Sequence, residues 1–272
     1  MSTYYYDPKI TRAEKEVFDA DIRGKIEQIR VTFPTAGYRM LLEHLKRSGV
    51  EIGETKLRRI IKKFELQAKI KRKYMTTTDS AHDCLVYPNL LPELTVDGLN
   101  QVWAGDITYI RIDNGFVFLA VLLDLYSRKV IGWAISKRID EKLTMDALKM
   151  AIKRRDPPKG VIHHTDRGVQ YLSNNYVDLL AENGFHLSCS RKGNPYDNAW
   201  SESFMKTLKY DEIYMRNYET YLDVIDNIPH FIEEVYNKKR LHSSIGYVPP
   251  EEFEEKIKLG YKNEVDQLKF KL

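Results

Sequence analysis

Val102-Trp103-Ala104-Gly105-Asp106-Ile107-Thr108-Tyr109-Ile110, running on through Arg111-Ile112-Asp113-Asn114-Gly115 into Phe116 to Leu123, is the stretch that decides the fold. Residues 101–112 are rich in β-branched and aromatic side chains. Asn114-Gly115 supplies the residues a tight hairpin turn demands, and the unbroken apolar run after it suits a strand buried on both faces. A third strand, Lys129 to Ile135, returns after a tight connection at Tyr126-Ser127. One residue in this meander is out of place. Alternation sets Asp106 on the face of Val102, Ala104 and Ile110, where an unpaired carboxylate is costly, so it calls for a cation or a metal.

Working outward, the period changes to helical and back. Glu141 to Arg154 reads as a helix stopped by Asp156-Pro157-Pro158, and Gly160 to His164 as a short strand. Asn174 to Glu182 is a helix ended by Asn183-Gly184, Phe185 to Ser190 a strand, and Gly193-Asn194-Pro195-Tyr196-Asp197-Asn198 opens a last helix. The order βββαβαβα is that of an α/β mixed sheet flanked by helices, the ribonuclease H-like plan. On the last helix Trp200, Phe204 and Leu208 form one apolar stripe, with Glu202, Lys206 and Lys209 opposite. Taken alone that polar face is an ordinary solvated one.

Two upstream acids change its meaning. Asp106 stands in mid-strand, where a buried ion pair is the alternative reading, and Asp166 closes the strand Val161 to His164, where a turn-forming Asx is the alternative. With the first and fourth strands side by side and the last helix across them, Asp106, Asp166 and Glu202 converge without any His or Cys. Oxygen-only ligation suits Mg²⁺ or Mn²⁺. Two such ions about 3.5–4 Å apart serve an in-line phosphoryl displacement.

The front of the chain is different in kind. The net charge of the 272 residues is only +4, but residues 1–75 hold 18 Lys and Arg against 10 Asp and Glu, and the remainder 25 against 29. Such asymmetry suggests a polyanion-binding module on a near-neutral body. A helix is expected from Asp21 to Phe33 with Ile22, Ile26, Ile29 and Val31 apolar, a second from Tyr38 to Arg47, and a third from about Glu54 to Leu66. The third carries Lys56, Arg58, Arg59, Lys62 and Lys63 outside. Helix, glycine-containing turn, basic helix is a helix-turn-helix pattern, with Arg58, Arg59, Lys62 and Lys63 as candidate DNA contacts. The expected organisation is a helical DNA-binding region at 1–74, a linker at 75–98, the catalytic core at 99–215 and a C-terminal helical extension at 216–272. His82 and Cys84, in the linker, make a poor zinc site. Cys84 and Cys189 suggest no disulfide framework, and there is no signal peptide or membrane-length apolar run. A soluble, intracellular protein is expected.

Trp103-Ala104-Gly105-Asp106-Ile107-Thr108-Tyr109-Ile110, His164-Thr165-Asp166-Arg167-Gly168-Val169-Gln170-Tyr171 and Asp197-Asn198-Ala199-Trp200-Ser201-Glu202-Ser203-Phe204 resemble the three acid-bearing motifs of bacterial insertion-sequence transposases of the DDE type, with a retroviral-integrase-like core. Asp166 and Glu202 have 35 residues between them, the family spacing, and Lys209 stands seven after Glu202 where the family has a basic residue. The tail Tyr236-Asn237-Lys238-Lys239-Arg240-Leu241-His242-Ser243-Ser244-Ile245-Gly246-Tyr247-Val248-Pro249-Pro250-Glu251-Glu252-Phe253 also resembles the family's C-terminal signature. The resemblance covers roughly residues 22 to 258.

The resemblance implies a metal-dependent polynucleotidyl transferase acting on element ends and target DNA, with Asp106 shared by two Mg²⁺ or Mn²⁺ ions and Asp166 and Glu202 each holding one. Lys209 would hold a DNA phosphate, with Lys206 the weaker candidate. It further implies a homo-oligomer in a synaptic complex, a downstream reading-frame product working with an upstream one, and a cytoplasmic, nucleoid-associated location. Gly105 stands where the family often has Thr, and Ala36-Gly37-Tyr38-Arg39 departs from Tyr-Gly-Tyr-Arg; neither removes a ligand. No zinc-binding His/His/Cys/Cys set like that of retroviral integrases is present. Asp124 reads as structural, Asp197 as a helix cap, His163 and His164 as packing groups, and His242 as a DNA or core contact. A catalytically silent DNA-binding regulator and a ribonuclease H-like nuclease are the alternatives.

Overall fold

The computed structural model describes residues 11–68, 87–92, 94–191 and 195–260, with a two-residue strand at 270–271. His82 and Cys84 lie outside the described residues. The chain divides into two compact units, Met1–Lys71 and Arg72–Leu272.

Among the described residues the first unit holds three helices. Helix α1 (Arg12–Thr32) begins well ahead of the expected Asp21. Its start is fixed by a capping box: Thr11 Oγ1 accepts the Glu14 N–H at 3.2 Å, and Glu14 Oε2 accepts the Thr11 N–H at 2.7 Å. The charged first turns hide this start from any apolar period. Ile22 and Ile26 are fully buried, whereas Val31 is 84% exposed. Helix α2 (Tyr38–Arg47) falls as expected, and α3 (Glu54–Lys63) ends short of Leu66 because Glu65 turns into the left-handed region at φ 53°. Leu41, Leu45, Leu57 and Ile60 close the core. The Arg30 guanidinium fixes the turn between α1 and α2 by donating to the carbonyls of Pro34 and Ala36.

In the second unit a short antiparallel pair joins β1 (Thr95–Val96) to β7 (Phe270–Lys271). The main sheet has five strands: β2 (Val102–Ile112), β3 (Gly115–Asp124), β4 (Val130–Ser136), β5 (Ile162–Thr165) and β6 (His186–Cys189), in the order β4-β3-β2-β5-β6. The first three form the expected antiparallel meander, and β2–β5 and β5–β6 are parallel. Alternation along β3 assigns its two faces. Ala120 and Leu122 pack with Leu143, Ala147 and Leu148 of α4 (Glu141–Arg155) and with Tyr176 and Leu180 of α5 (Asn174–Glu182). Val117, Leu119, Val121 and Leu123 pack with Phe204, Met205 and Leu208 of α6 (Ala199–Leu208).

Contact between α4 and the sheet is intimate at Gly132. A Cβ there would overlap the Ala147 carbonyl and stand 2.7 Å from Ala151 Cβ, so only glycine lets the helix lie on β4. After α6 the helix widens into a π-helical segment, Lys209–Ile213, followed by the single turn α7 (Tyr214–Arg216). Helix α8 (Tyr221–His230) passes through Pro229 into a second π segment, Phe231–Asn237, where the missing proline N–H disturbs the regular ladder. Val224, Ile228, Phe231, Ile232 and Tyr236 of this stretch lie in the same core as α6 and the meander. Residues 224–236 therefore form a wall of that core.

Asp124 is structural, as expected, and its partners were not legible. It is fully buried at the end of β3 and accepts the N–H groups of Asn100, Tyr126 and Ser127 at 2.7, 2.9 and 3.1 Å. Arg155 at the end of α4 reaches it at 3.2 Å and also grips Glu254 of α9 (Pro250–Lys258) at 2.7 and 2.9 Å. One guanidinium thus bridges two buried carboxylates 130 residues apart in the sequence. Arg155→Met should take the nearest cation from both carboxylates, leaving Glu254 with Lys129 at 3.7 Å, and cost about 3–5 kcal/mol of stability, read as a lowered urea midpoint at unchanged slope.

Candidate active site

One register brings the first two acids together. Gly105 of β2 is paired with Thr165 of β5, and the parallel ladder stops there. Asp106 and Asp166 are the next residue of each strand, so both emerge side by side where β5 ends and β2 runs on. A parallel sheet opens a site at the carboxyl ends of its strands. Asp106 Oδ1 accepts its neighbour's amide, Ile107 N–H, at 2.8 Å, and Asp166 Oδ1 accepts the Gly168 N–H at 2.9 Å. The latter is the Asx turn foreseen as the alternative for Asp166, so a turn and a place in the acidic site coexist in one side chain.

Glu202 lies on the exposed face of α6, held there because Ser201, Phe204, Met205 and Leu208 are buried on the other. Burial drives the Asp106 carboxyl up to about 8, the charge of Asp166 adds to this, and Glu202 adds less; the Ile107 N–H and Lys209 pull the other way. The three acids therefore share one electrostatic field in which negative charge exceeds its local compensation. Among the described residues no three His, Cys, Asp or Glu side chains are grouped closely enough to hold one metal ion. The donor set itself, three carboxylates without nitrogen or sulfur, fits Mg²⁺ or Mn²⁺.

Lys209 is half-buried, with its ammonium 5.1 Å from the Tyr109 ring centroid. Burial lowers its pKa and Asp106 raises it, which places the cation beside the acids. It opens the π segment, while its own N–H still bonds the Met205 carbonyl as the last rung of α6. Lys206 is exposed, one turn after Glu202. The basic helix α3 belongs to the other unit. There Arg59 and Lys63 are held by the buried Asp19 at 2.7 and 3.0 Å, and Arg58 pairs with Glu54 at 2.8 Å and stacks 3.9 Å over Tyr38; Lys62 is exposed.

The remaining candidates are structural. Asp197, expected as a helix cap, instead receives the backbone N–H of Arg191 at 2.9 Å and its guanidinium at 3.0 Å, which hold its carboxyl down at about 2. The N-cap of α6 is Asn198, whose side chain makes no capping bond. Buried His164 bridges Ser188 and Ser190 at 2.8 and 3.0 Å, and His163 meets the Tyr176 hydroxyl at 2.7 Å; burial lowers them to about 4 and about 3. His242 is a core contact, its ring 4.9 Å from Tyr236. Sequence reasoning missed Tyr171, fully buried, whose ring closes on Gly105: a Cβ there would stand 3.3 Å from Tyr171 Cε1 and 3.0 Å from His163 Cε1.

Comparison with known proteins identifies the family. Family models described as integrase core domain match residues 97–195 and 183–250. The transposase of insertion sequence IS904 from Lactococcus lactis is 35% identical over 91% of this chain and 97% of its own length. A 31 kDa protein of insertion element IS600 from Shigella sonnei is 37% identical over 94% of each chain. Transposase InsF of IS3A from Escherichia coli is 41% identical over 79% of this chain and 75% of its own. This chain belongs to the integrase-core transposases of bacterial insertion sequences.

Solved retroviral structures are more distant. They include a simian T-cell lymphotropic virus intasome (TM-score 0.47, 18% identity, 84% of this chain and 73% of that one) and the HTLV-2 integrase catalytic core in complex with magnesium (TM-score 0.44, 18% identity, 61% and 98%). In the transposase the burial of the Asp106 carboxyl has a thermodynamic sign. Asp106→Asn should raise the melting temperature of the metal-free protein by roughly 2–4 °C, the shift that about 1 kcal/mol produces at this size, and should abolish any further rise on adding Mn²⁺. Scanning calorimetry with and without chelator reads both.

Proposed function

We propose that Asp106, Asp166 and Glu202 are the catalytic acids of this transposase and that they hold two Mg²⁺ or Mn²⁺ ions for DNA strand cleavage and strand transfer at insertion-sequence ends. The observation that carries the reading is the Gly105 to Thr165 register, which sets two carboxylates at one strand end with a third on the helix beside them. When bound, the ions supply activation of the attacking oxygen and stabilisation of the leaving oxygen. The chain's own share is placement. Asp106 and Asp166 fix the ligand oxygens on rigid strands, α6 carries Glu202 to them, and Lys209 holds a DNA phosphate at the rim, its ammonium steadied against Tyr109. Lys206 is a second, solvated phosphate contact.

Residues 1–74 then serve as the DNA-binding region, through Arg58 and Lys62 on the open side of α3 and through Arg59 and Lys63 where Asp19 fixes their direction. Residues 75–98 link it to the catalytic core, 99–215, and the C-terminal helices, 216–272, hold α6 in place. Joining two element ends calls for two active sites, so the working form is a homo-oligomer in a synaptic complex, with an upstream reading-frame product as further partner. The reaction belongs in the cytoplasm, at the nucleoid.

Glu202→Gln tests this directly. Because Glu202 is exposed, the fold should be untouched, while Mn²⁺-dependent nicking of an element-end duplex and joining of a pre-cut 3′ end should both fall by roughly 10³-fold or more. Retained joining would remove Glu202 from the catalytic set. Cutting without joining by the unmutated chain would make it a hydrolase, and neither activity would leave a DNA-binding regulator.

A further inference from the structure

Tyr171 and Tyr176 lie side by side in the core under α5, their rings edge to face at 5.5 Å, and they are 1% and 0% exposed. Their hydroxyls fare differently. That of Tyr176 is joined to His163 Nε2 at 2.7 Å. That of Tyr171 is sealed from solvent and has no hydrogen-bond partner among the described residues. A buried hydroxyl left unpaired costs stability that a phenylalanine would not, so its presence asks for a use outside folding.

The ring's neighbours suggest which. Its Cε1 edge lies against Gly105, the residue before Asp106, and its Cδ2 edge would be 3.6 Å from a Cβ on Gly168, the residue whose N–H Asp166 accepts. The backbone N–H of Tyr171 closes the same turn onto the Gly168 carbonyl at 2.9 Å. Tyr171 is thus wedged between the backbone supports of both acids. Burial first, then Tyr176, Asp106 and Asp166, all push its phenol towards the protonated form. It is a fixed donor near two groups that, ionised, only accept.

We propose that the Tyr171 hydroxyl is a positioning donor for the Asp106 and Asp166 pair, hydrogen-bonding one of these carboxylates when they gather around a divalent cation and so fixing which oxygen faces it. This rests on the metal-holding role proposed above. Tyr171 touches no reacting atom. Its effect passes through the ligand it orients, as hydrogen bonds to ligating carboxylates do at other metal sites, where losing one weakens the metal about 10- to 100-fold.

The full-length chain provides the test, with Mn²⁺ binding followed by electron paramagnetic resonance and melting followed in chelator. Tyr171→Phe keeps the ring and removes only the hydroxyl. Mn²⁺ affinity should fall at least about tenfold, while the metal-free melting temperature stays equal to that of the unmutated chain or rises. Tyr176→Phe is the contrast: it should lower the melting temperature and leave Mn²⁺ affinity unchanged. Unchanged Mn²⁺ affinity in Tyr171→Phe, or a metal-free melting temperature that falls as in Tyr176→Phe, would overturn the positioning role and leave the three-acid reading standing. If the unmutated chain itself takes up no Mn²⁺, the three-acid reading fails and this inference with it.

Discussion

Everything in the catalytic unit is arranged around a parallel strand pairing that stops early. Strand β5 is only four residues long, and its last residue, Thr165, is in register with Gly105 in the middle of an eleven-residue β2. Beyond that rung no strand among the described residues pairs with β2 on its β5 side, and the chain after β5 turns away. The two aspartates that follow the rung are brought together by backbone hydrogen bonding, with no attraction between their side chains required. Lengthening β5 by a residue or slipping it by one would send Asp166 to the opposite face.

The third carboxylate is placed by packing. Helix α6 owes its position to apolar side chains that meet the meander and to the edge-to-face contact of Phe204 with Tyr236 at 4.8 Å. The signature segment that contains Tyr236 has a structural job on this evidence of geometry alone. Asn237 closes both backbone groups of Val130 on strand β4, donating at 2.9 Å and accepting at 3.0 Å, and Arg240 pairs with the buried Asp211 just after α6. These bonds tie the far end of the chain to the strand and the helix that frame the acids. The Asp124, Arg155 and Glu254 network does the same on another side. Polar groups so deeply buried contribute modest net stability, yet removing any one partner strands the others.

Much of this was legible in the sequence. The Asn114-Gly115 turn, the apolar run of β3 and the helix stops at 156–158 and 183–184 are local signals, and the elements they bound fall where local chemistry puts them. Asp106 stood out because a carboxylate on an apolar strand face is out of place, whereas Asp166 and Glu202 drew their meaning from it and from the family motifs around them. What escaped notice depends on distant contacts. Nothing local announces that Arg155 serves two acids, that Asp19 holds Arg59 and Lys63, that Asp197 answers Arg191 instead of capping a helix, or that Tyr171 fills the room left by Gly105. The early start of α1 was legible in Thr11 and Glu14, but the charged turns between them and Ile22 masked it. The π segment at Lys209 could not be read from a period of 3.6, since it is a departure from that period.

The central claim is that three oxygen ligands from a strand, a strand end and a helix act on the same cations. Apart from any ion they need not touch, and their mutual repulsion is the potential that a divalent cation relieves. Anomalous diffraction from crystals grown with Mn²⁺ measures this most directly. The account predicts manganese peaks bounded by carboxylate oxygens of Asp106, Asp166 and Glu202. Manganese bound elsewhere, or bound with the side chain of any one of the three turned away, would contradict it.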